Sequence, residues 1–243
     1  MPTLTIDFAG EVHELDGSTA FVIGRDGDLQ VDENPYLHRR FLEVRFEHNL
    51  WWLANIGGQL TATVSDSTSG VHAWLAPGGR MPIVFGATCV RFTAGPTSYE
   101  IDMTLSDAPY MSEETEEPND GSTTIGRVML THDQKRMLVA LAEAALRRGA
   151  PGAVELPSSG QAAERLGWTL KKFEKKIDNV CDKLANKGVR GLKGGQGNLA
   201  SGRRARLVEY ALAARIVTAA DLPILDAPVA SRGDELGDDA GDE

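Results

Sequence analysis

The first hundred residues consist of short apolar or alternating runs, which are separated at regular intervals by turn residues. Of all the features of the sequence, this pattern restricts the possible folds most. The turn signals include Ala9-Gly10, Gly57-Gly58 and Ala94-Gly95-Pro96. Side chains of a strand alternate between two faces, so such runs predict half-buried strands. We predict strands over residues 3–8, 20–23, 41–47, 51–55, 59–64, 81–85, 89–93 and 98–103. Short strands at this spacing are typical of an all-β sandwich or barrel.

After residue 130 the apolar pattern becomes helical. Thr131 and Gln134 have the spacing of a capping box, and Gly149 ends the helix that they begin. A short helix follows from Gly160, and Thr169 begins a longer one. The apolar residues of this longer helix recur three and four positions apart, at Leu170, Phe173, Ile177, Val180, Cys181 and Leu184. That spacing predicts one buried face, and a last helix is predicted over residues 203–217.

Charge divides the chain into four segments. Residues 1–103 carry a net charge of −7, residues 104–125 carry −6, residues 126–223 carry +9 and residues 224–243 carry −6. The two acidic segments, 104–125 and 224–243, hold few apolar side chains, so we expect a flexible linker and a disordered tail. The sequence therefore predicts a multidomain protein in which an all-β sandwich precedes an all-α or winged-helix domain.

Several function classes are disfavoured. No run of about 18 apolar residues exists, and the N-terminus lacks a basic segment before an apolar one, so we expect neither a membrane partner nor a secretory signal. Cys89 and Cys181 each lie in an apolar pattern and are expected to be buried thiols of a cytoplasmic protein. The histidines lack zinc spacing, and residues 194–197 lack the context of a P-loop. We predict no enzyme, no metal and no cofactor.

A cluster of basic residues flanks the loop between two of the predicted strands. Arg25 follows Gly24 at the end of one strand, and His38, Arg39 and Arg40 precede the next. Guanidinium groups bind phosphate oxygens bidentately, so this cluster predicts a phosphate site. The alternative is that Arg25 and Arg39 pair with the acidic residues nearby, Asp26, Asp32 or Glu33.

With these residues the β region resembles the forkhead-associated (FHA) domain, a β-sandwich that binds phosphothreonine peptides through loops at one end. The resemblance covers about residues 3–103 and rests on four segments, residues 22–25, 34–44, 53–64 and 77–86. It implies that Arg25 and Arg39 contact phosphate. His38 stands at the position of the family's phosphate-binding serine, and an imidazole N–H can also donate to an oxyanion.

Other recognition positions depart from the family pattern. Phe41 replaces a structural histidine, and Asn55 replaces an aspartate. Leu60 replaces the asparagine that binds the peptide backbone, and its side chain cannot make the bonds of an amide. The resemblance therefore leaves two functions open. The sandwich either binds phosphopeptides through Arg25, His38, Arg39 and Arg40, or interacts with proteins independently of phosphothreonine.

The helical region has helix-turn-helix spacing at Ala163, Gly167 and Phe173. With the glycine-rich residues 188–202 as a wing, it resembles a winged helix-turn-helix, which implies DNA binding. The predicted contacts are Thr169, Lys171, Lys172, Lys175, Lys176, Arg190, Lys193, Arg203 and Arg204. The alternative is that these lysines form a solvated face that pairs with Glu174 and Asp178, in a domain that binds protein.

Together the two resemblances predict a cytoplasmic signalling protein that regulates transcription. Its predicted partners are a phosphorylated or unphosphorylated protein, a Ser/Thr kinase and DNA. The alternative is an adaptor in which both domains bind protein. We also predict kinase sites in the linker at Thr115, Thr123 and Thr124, where a phosphothreonine would reach the FHA-like site in cis or in trans.

Overall fold

Two β-sheets enclose one apolar core in the first part of the chain, in a computed structural model that describes residues 2–67, 71–110, 130–189, 191–192 and 200–226. The strands are β1 (Leu4–Phe8), β2 (Glu11–Leu15), β3 (Phe21–Gly24), β4 (Leu29–Gln30), β5 (Leu42–Glu47), β6 (Leu50–Asn55), β7 (Ala62–Asp66), β8 (His72–Leu75), β9 (Arg80–Ile83), β10 (Ala87–Ala94) and β11 (Thr97–Leu105). One sheet has the order β2-β1-β11-β10-β7-β8 and the other has the order β4-β3-β5-β6-β9. Only β3 and β4 pair in parallel among the described strands.

Alternate residues of these strands fill the sandwich core. Leu4 and Ile6 of β1 are fully buried, as are Phe92 of β10 and Tyr99 of β11. The rings of Phe92 and Tyr99 stack 5.0 Å apart, and Phe41 meets Phe92 edge-on at 4.8 Å. Burial of these apolar side chains is the main source of stability. The predicted β-sandwich is confirmed.

A helical region follows, as predicted. Its elements are α1 (His132–Arg147), β12 (Gly152–Glu155), α2 (Ser159–Arg165), α3 (Leu170–Asn186), α4 (Ala200–Ala213) and a final 3-10 helix (Ala219–Leu225). Thr131 and Gln134 form the expected capping box, and a second one joins Ser158 and Gln161. The buried face of α3 includes Phe173. Among the described residues, no helix has the length and apolar character needed to cross a membrane.

Two elements of the helical region, β12 and α4, pack against the sandwich. Strand β12 pairs antiparallel with β11, with Glu155 opposite Thr97. Helix α4 packs against β7 and β10 on the outer face of the larger sheet. A short strand and one helix therefore join the two regions.

Two predicted boundaries differ from the observed ones, and several predicted residues lie outside the described part of the chain. Strand β11 continues to Leu105, two positions into the predicted linker, and helix α4 ends at Ala213, before the predicted end at residue 217. The predicted residues outside the described part of the chain are Thr115, Thr123, Thr124, Arg190 and Lys193. The tail beyond residue 226 lies outside it as well.

Candidate functional site

Three loops are joined by backbone hydrogen bonds at one end of the sandwich. The amide of Arg25 donates to the carbonyl of His38 at 2.9 Å, and the amide of Asp26 donates to Arg39 at 2.8 Å. The amide of Ile56 donates to the carbonyl of Phe41 at 2.9 Å, which attaches the loop after β6. The backbone therefore holds the predicted phosphate-site residues in one rigid group.

Gly24 allows the first two loops to approach each other. A Cβ atom at this position would overlap the carbonyl oxygen of Arg39, which belongs to the backbone and cannot move aside. Only glycine leaves room for this contact. The glycine before Arg25 is therefore required by the close packing of the loops that carry Arg25 and Arg39.

The three arginines of this cluster have no carboxylate partner among the described residues. Arg25 is half-buried, whereas Arg39 and Arg40 are exposed. In the described part of the chain no carboxylate oxygen lies within 4.0 Å of their guanidinium groups. Asp32, which the alternative interpretation offered as a partner, accepts a hydrogen bond from the hydroxyl of Tyr99 at 2.6 Å. The cluster formed by Arg25, Arg39 and Arg40 is thus electrostatically available to an anion.

One ring nitrogen of His38 is engaged by the loop after β6. Its Nε2 accepts from the amide of Gln59 at 3.1 Å and from the amide of Leu60 at 3.4 Å. An imidazole nitrogen that accepts carries no proton, so the ring is neutral in this geometry and its proton is on Nδ1. The ring also lies against Gly57, where a Cβ atom would be 2.6 Å from Cδ2. His38 therefore positions the loop after β6, and only Nδ1–H is left to donate.

The buried side chain of Asn55 also holds the loop after β6 through hydrogen bonds. The residue is 1% exposed, and its Nδ2 donates to the carbonyls of Leu60 at 2.8 Å and Leu75 at 2.9 Å. Its Oδ1 accepts from the amide of Gly57 at 3.0 Å. An aspartate could not make the two donor bonds. The side chain of Leu60 packs against the sandwich core, which explains how an apolar residue is accommodated there.

The loop between β4 and β5 is anchored to the opposite sheet. Asn34 Nδ2 donates to the hydroxyl of Tyr99 at 2.8 Å and to the carbonyl of Ala94 at 2.9 Å. Burial and the hydrogen bond to Asp32 raise the pKa of Tyr99 to about 12. The Tyr36 ring lies over Gly95 and is 66% exposed. Sequence reasoning missed the Tyr99 anchor, because Tyr99 is more than 60 positions away.

In the helical region the predicted lysines have unequal surroundings. Thr169 caps α3 by accepting from the amide of Lys172 at 3.2 Å. Lys172 and Lys176 lie 3.7 and 3.3 Å from Asp133 of α1, so Asp133 is their partner instead of the expected Glu174 or Asp178. The remaining two predicted lysines of this helix, Lys171 and Lys175, are exposed and have no ion-pair partner among the described residues.

The predicted arginines of α4 contact neighbouring helices. Arg203 pairs with Asp178 of α3 at 2.5 Å. Arg204 is half-buried and donates to the hydroxyl of Ser159 at 3.5 Å, and its burial lowers its pKa. Arg203 is therefore paired within the chain, whereas the buried Nε of Arg204 has no hydrogen-bond partner among the described residues.

No family model and no curated protein matches this chain. Among solved structures, FHA domains are similar to its N-terminal part. Rv1747 FHA-1 of Mycobacterium tuberculosis is 18% identical and aligns 44% of this chain with 98% of that domain, at a TM-score of 0.33. An FHA domain of Arabidopsis thaliana is 11% identical, with 46% and 91% aligned and a TM-score of 0.33. The FhaA FHA domain, complexed with the intracellular domain of Rv3910, is 20% identical, with 43% and 99% aligned and a TM-score of 0.30.

Proposed function

We propose that the sandwich binds phosphorylated segments of partner proteins through Arg25, Arg39 and Arg40, as a signalling module of the cytoplasm and not as an enzyme. The observation that carries this proposal is the absence, within the described residues, of any carboxylate partner for these three guanidinium groups. Because they lie on loops joined by backbone hydrogen bonds, their positions need little reorganisation on binding. A phosphate dianion accepts several charge-assisted hydrogen bonds from such a cluster.

The surroundings of the cluster indicate how this binding differs from the family pattern. Leu60 offers no side-chain amide to a bound backbone, so recognition depends mainly on the phosphate. The sandwich carries a net charge of −7, which repels an acidic peptide at long range. We therefore expect modest affinity that depends strongly on the phosphate group.

Peptide binding to the full chain tests this proposal. A phosphothreonine library and its unphosphorylated counterpart are compared, first with the natural chain and then with Arg25→Ala. We expect binding only with phosphate, and a loss of roughly tenfold to a hundredfold in Arg25→Ala. Arg45→Ala is the matched control, because Arg45 is an exposed arginine of β5 that pairs with Glu43 and Glu47. Equal binding of both libraries contradicts the proposal.

DNA binding by the helical region is a second candidate function, which would make the protein a regulator of transcription. It is supported by exposed Lys171 and Lys175 on α3, which follows a short turn after α2. Because Asp133 neutralises part of the charge of Lys172 and Lys176, we expect weak, salt-dependent binding through phosphates.

Retention of a random duplex at low salt separates this function from the adaptor alternative. Lys171→Glu combined with Lys175→Glu should abolish retention. Arg45→Glu combined with Arg80→Glu changes the net charge equally on the sandwich and should leave retention nearly intact. If the natural chain does not retain the duplex, the adaptor function is favoured.

A further inference from the structure

We propose that the phosphorylated segment continues from the sandwich onto the helical region, where a cavity receives one of its lysine or arginine side chains. This inference rests on the proposed phosphate binding and extends it to the second half of the chain. It would make residues of both regions part of one ligand site.

A short series of contacts leads from the loop that carries Arg39 to the cavity. The ring of Tyr36 rests on Gly95 of the turn between β10 and β11. The next residue in that turn, Pro96, accepts a hydrogen bond at 3.0 Å from the amide of Leu156. Leu156 lines a cavity of about 410 Å³, which is of the size of a small-ligand site. Contacts through Tyr36 and Pro96 thus link the loop that carries Arg39 to Leu156 of the cavity lining.

The cavity lining combines apolar side chains with three charged ones, Glu143, Glu155 and Arg165. The apolar lining comes from α1, α2 and the segment after β12, and consists of Ala140, Ala144, Leu156, Pro157 and Ala162. Glu155 at the end of β12 is exposed and has no partner among the described residues. An aliphatic stem that ends in a cation fits such a surface, because its methylenes cover apolar atoms while its charge meets the carboxylate.

The second carboxylate of the lining is already neutralised. Glu143 accepts from Arg147 at 2.8 Å and from Arg165 at 3.0 Å. Burial alone would raise its pKa, but the hydrogen bonds from the two arginines lower it. Glu143 therefore remains ionised and paired, and Glu155 is the group that is available to a cation from a ligand.

A single peptide can span the distance from the arginine cluster to Glu155. An extended chain advances about 3.3 Å per residue. Arg39 is three positions from Tyr36 in the sequence, and the carbonyl of Pro96 accepts a hydrogen bond from the amide of Leu156. A peptide of about ten residues is therefore long enough to place a phosphothreonine at the arginines and a basic side chain at Glu155.

The experiment selects peptides of about fifteen residues, which exceeds the required span, from a library centred on phosphothreonine. The full-length chain should enrich lysine or arginine at one fixed distance from the phosphothreonine. Glu155→Gln should remove this enrichment and weaken the selected peptide about two- to fivefold. Glu164→Gln is the matched control, because Glu164 is an exposed acid of α2 outside the cavity lining.

The outcomes separate the two proposals. The inference is overturned if binding depends on phosphate but shows no preference for lysine or arginine. It is also overturned if that preference persists in Glu155→Gln. Both results leave phosphopeptide binding intact. Failure of every phosphopeptide to bind overturns both. Loss of the preference in Glu155→Gln together with full binding loss in Arg25→Ala supports both.

Discussion

At the scale of single residues, Asn55 links the loop after β6 to the core through three hydrogen bonds. We predict that Asn55→Asp lowers the free energy of unfolding by about 3 kcal/mol, because a buried carboxylate would face two carbonyl oxygens. Urea unfolding measures the change. Asn49→Asp, in an exposed turn, is the control and should differ little from the natural chain. A stable Asn55→Asp chain would show that the loop is held by other contacts.

Glu209 of α4 is a buried acid between the two regions. Its carboxylate accepts from Arg206 at 2.9 Å and lies 3.5 Å from the hydroxyl of Thr63, and burial outweighs these partners and raises its pKa. The folded chain therefore binds this proton more tightly than the unfolded chain. The stability that the protonated group contributes is present below pH 4.5, the ordinary pKa, and is lost as the pH rises through the folded value.

We predict that the natural chain loses stability relative to Glu209→Gln as the pH rises above 4.5. The measurement is denaturant unfolding of both chains over a series of pH values. Glu164→Gln, which removes an exposed acid, provides the baseline. A difference that changes in the opposite direction would mean that the bonds from Arg206 and Thr63 outweigh burial and that the pKa of Glu209 is lowered.

At the scale of elements, Arg206 is one of the residues through which α4 contacts the larger sheet. Arg206 donates to the hydroxyl of Thr63 at 2.8 Å and to Glu209, and its guanidinium lies 4.7 Å from the ring centre of Trp74. The side chain is only 13% exposed, so little solvent screens these contacts. Thr63 and Trp74 belong to the sandwich, which makes Arg206 a contact between regions.

We predict that Arg206→Met lowers the free energy of unfolding by about 3 kcal/mol, because it leaves Glu209 buried without its cation. Arg203→Met is the matched control on the same helix. Its partner Asp178 is exposed, so its loss should cost less than about 1 kcal/mol. Equal effects of the two substitutions would contradict a special role of the α4 contact.

The elements that could be predicted are those whose signals are local. Helices α1 and α3 were predicted from their N-cap residues and from the spacing of their apolar side chains. Strands β2, β4, β8 and β12 were not predicted. Strand β4 has only 2 residues, and most side chains of the other three are not buried, so no alternation of buried residues marks them. The pairing of β12 depends on Thr97, far away in the sequence. Asn55 and His38 were recognised in the sequence as departures from the family pattern. Their hydrogen bonds to the loop after β6 could be identified only once the fold was known.

At the scale of the whole molecule, the regional charges predicted two domains, an acidic sandwich and a basic helical region. Thr63 and Ser65 of β7 lie on the outer face of the larger sheet, opposite the sandwich core, yet both are buried. Across the same face, Glu100 of β11 pairs with Arg148 after α1 at 3.5 Å. Contacts between such distant residues leave no periodic signal in the sequence.

These contacts lead us to predict that the sandwich and the helical region unfold together. Pairing of β12 with β11 and docking of α4 bury polar groups that separation would leave without partners. Native-state hydrogen exchange should therefore give similar opening free energies for amides of β10 and α1. Arg206→Met should lower both, because the α4 contact belongs to both regions. If the amides of α1 exchange through an opening that leaves β10 protected and unaffected by Arg206→Met, the two regions are thermodynamically independent, and a ligand site shared between them would require a separate docking step.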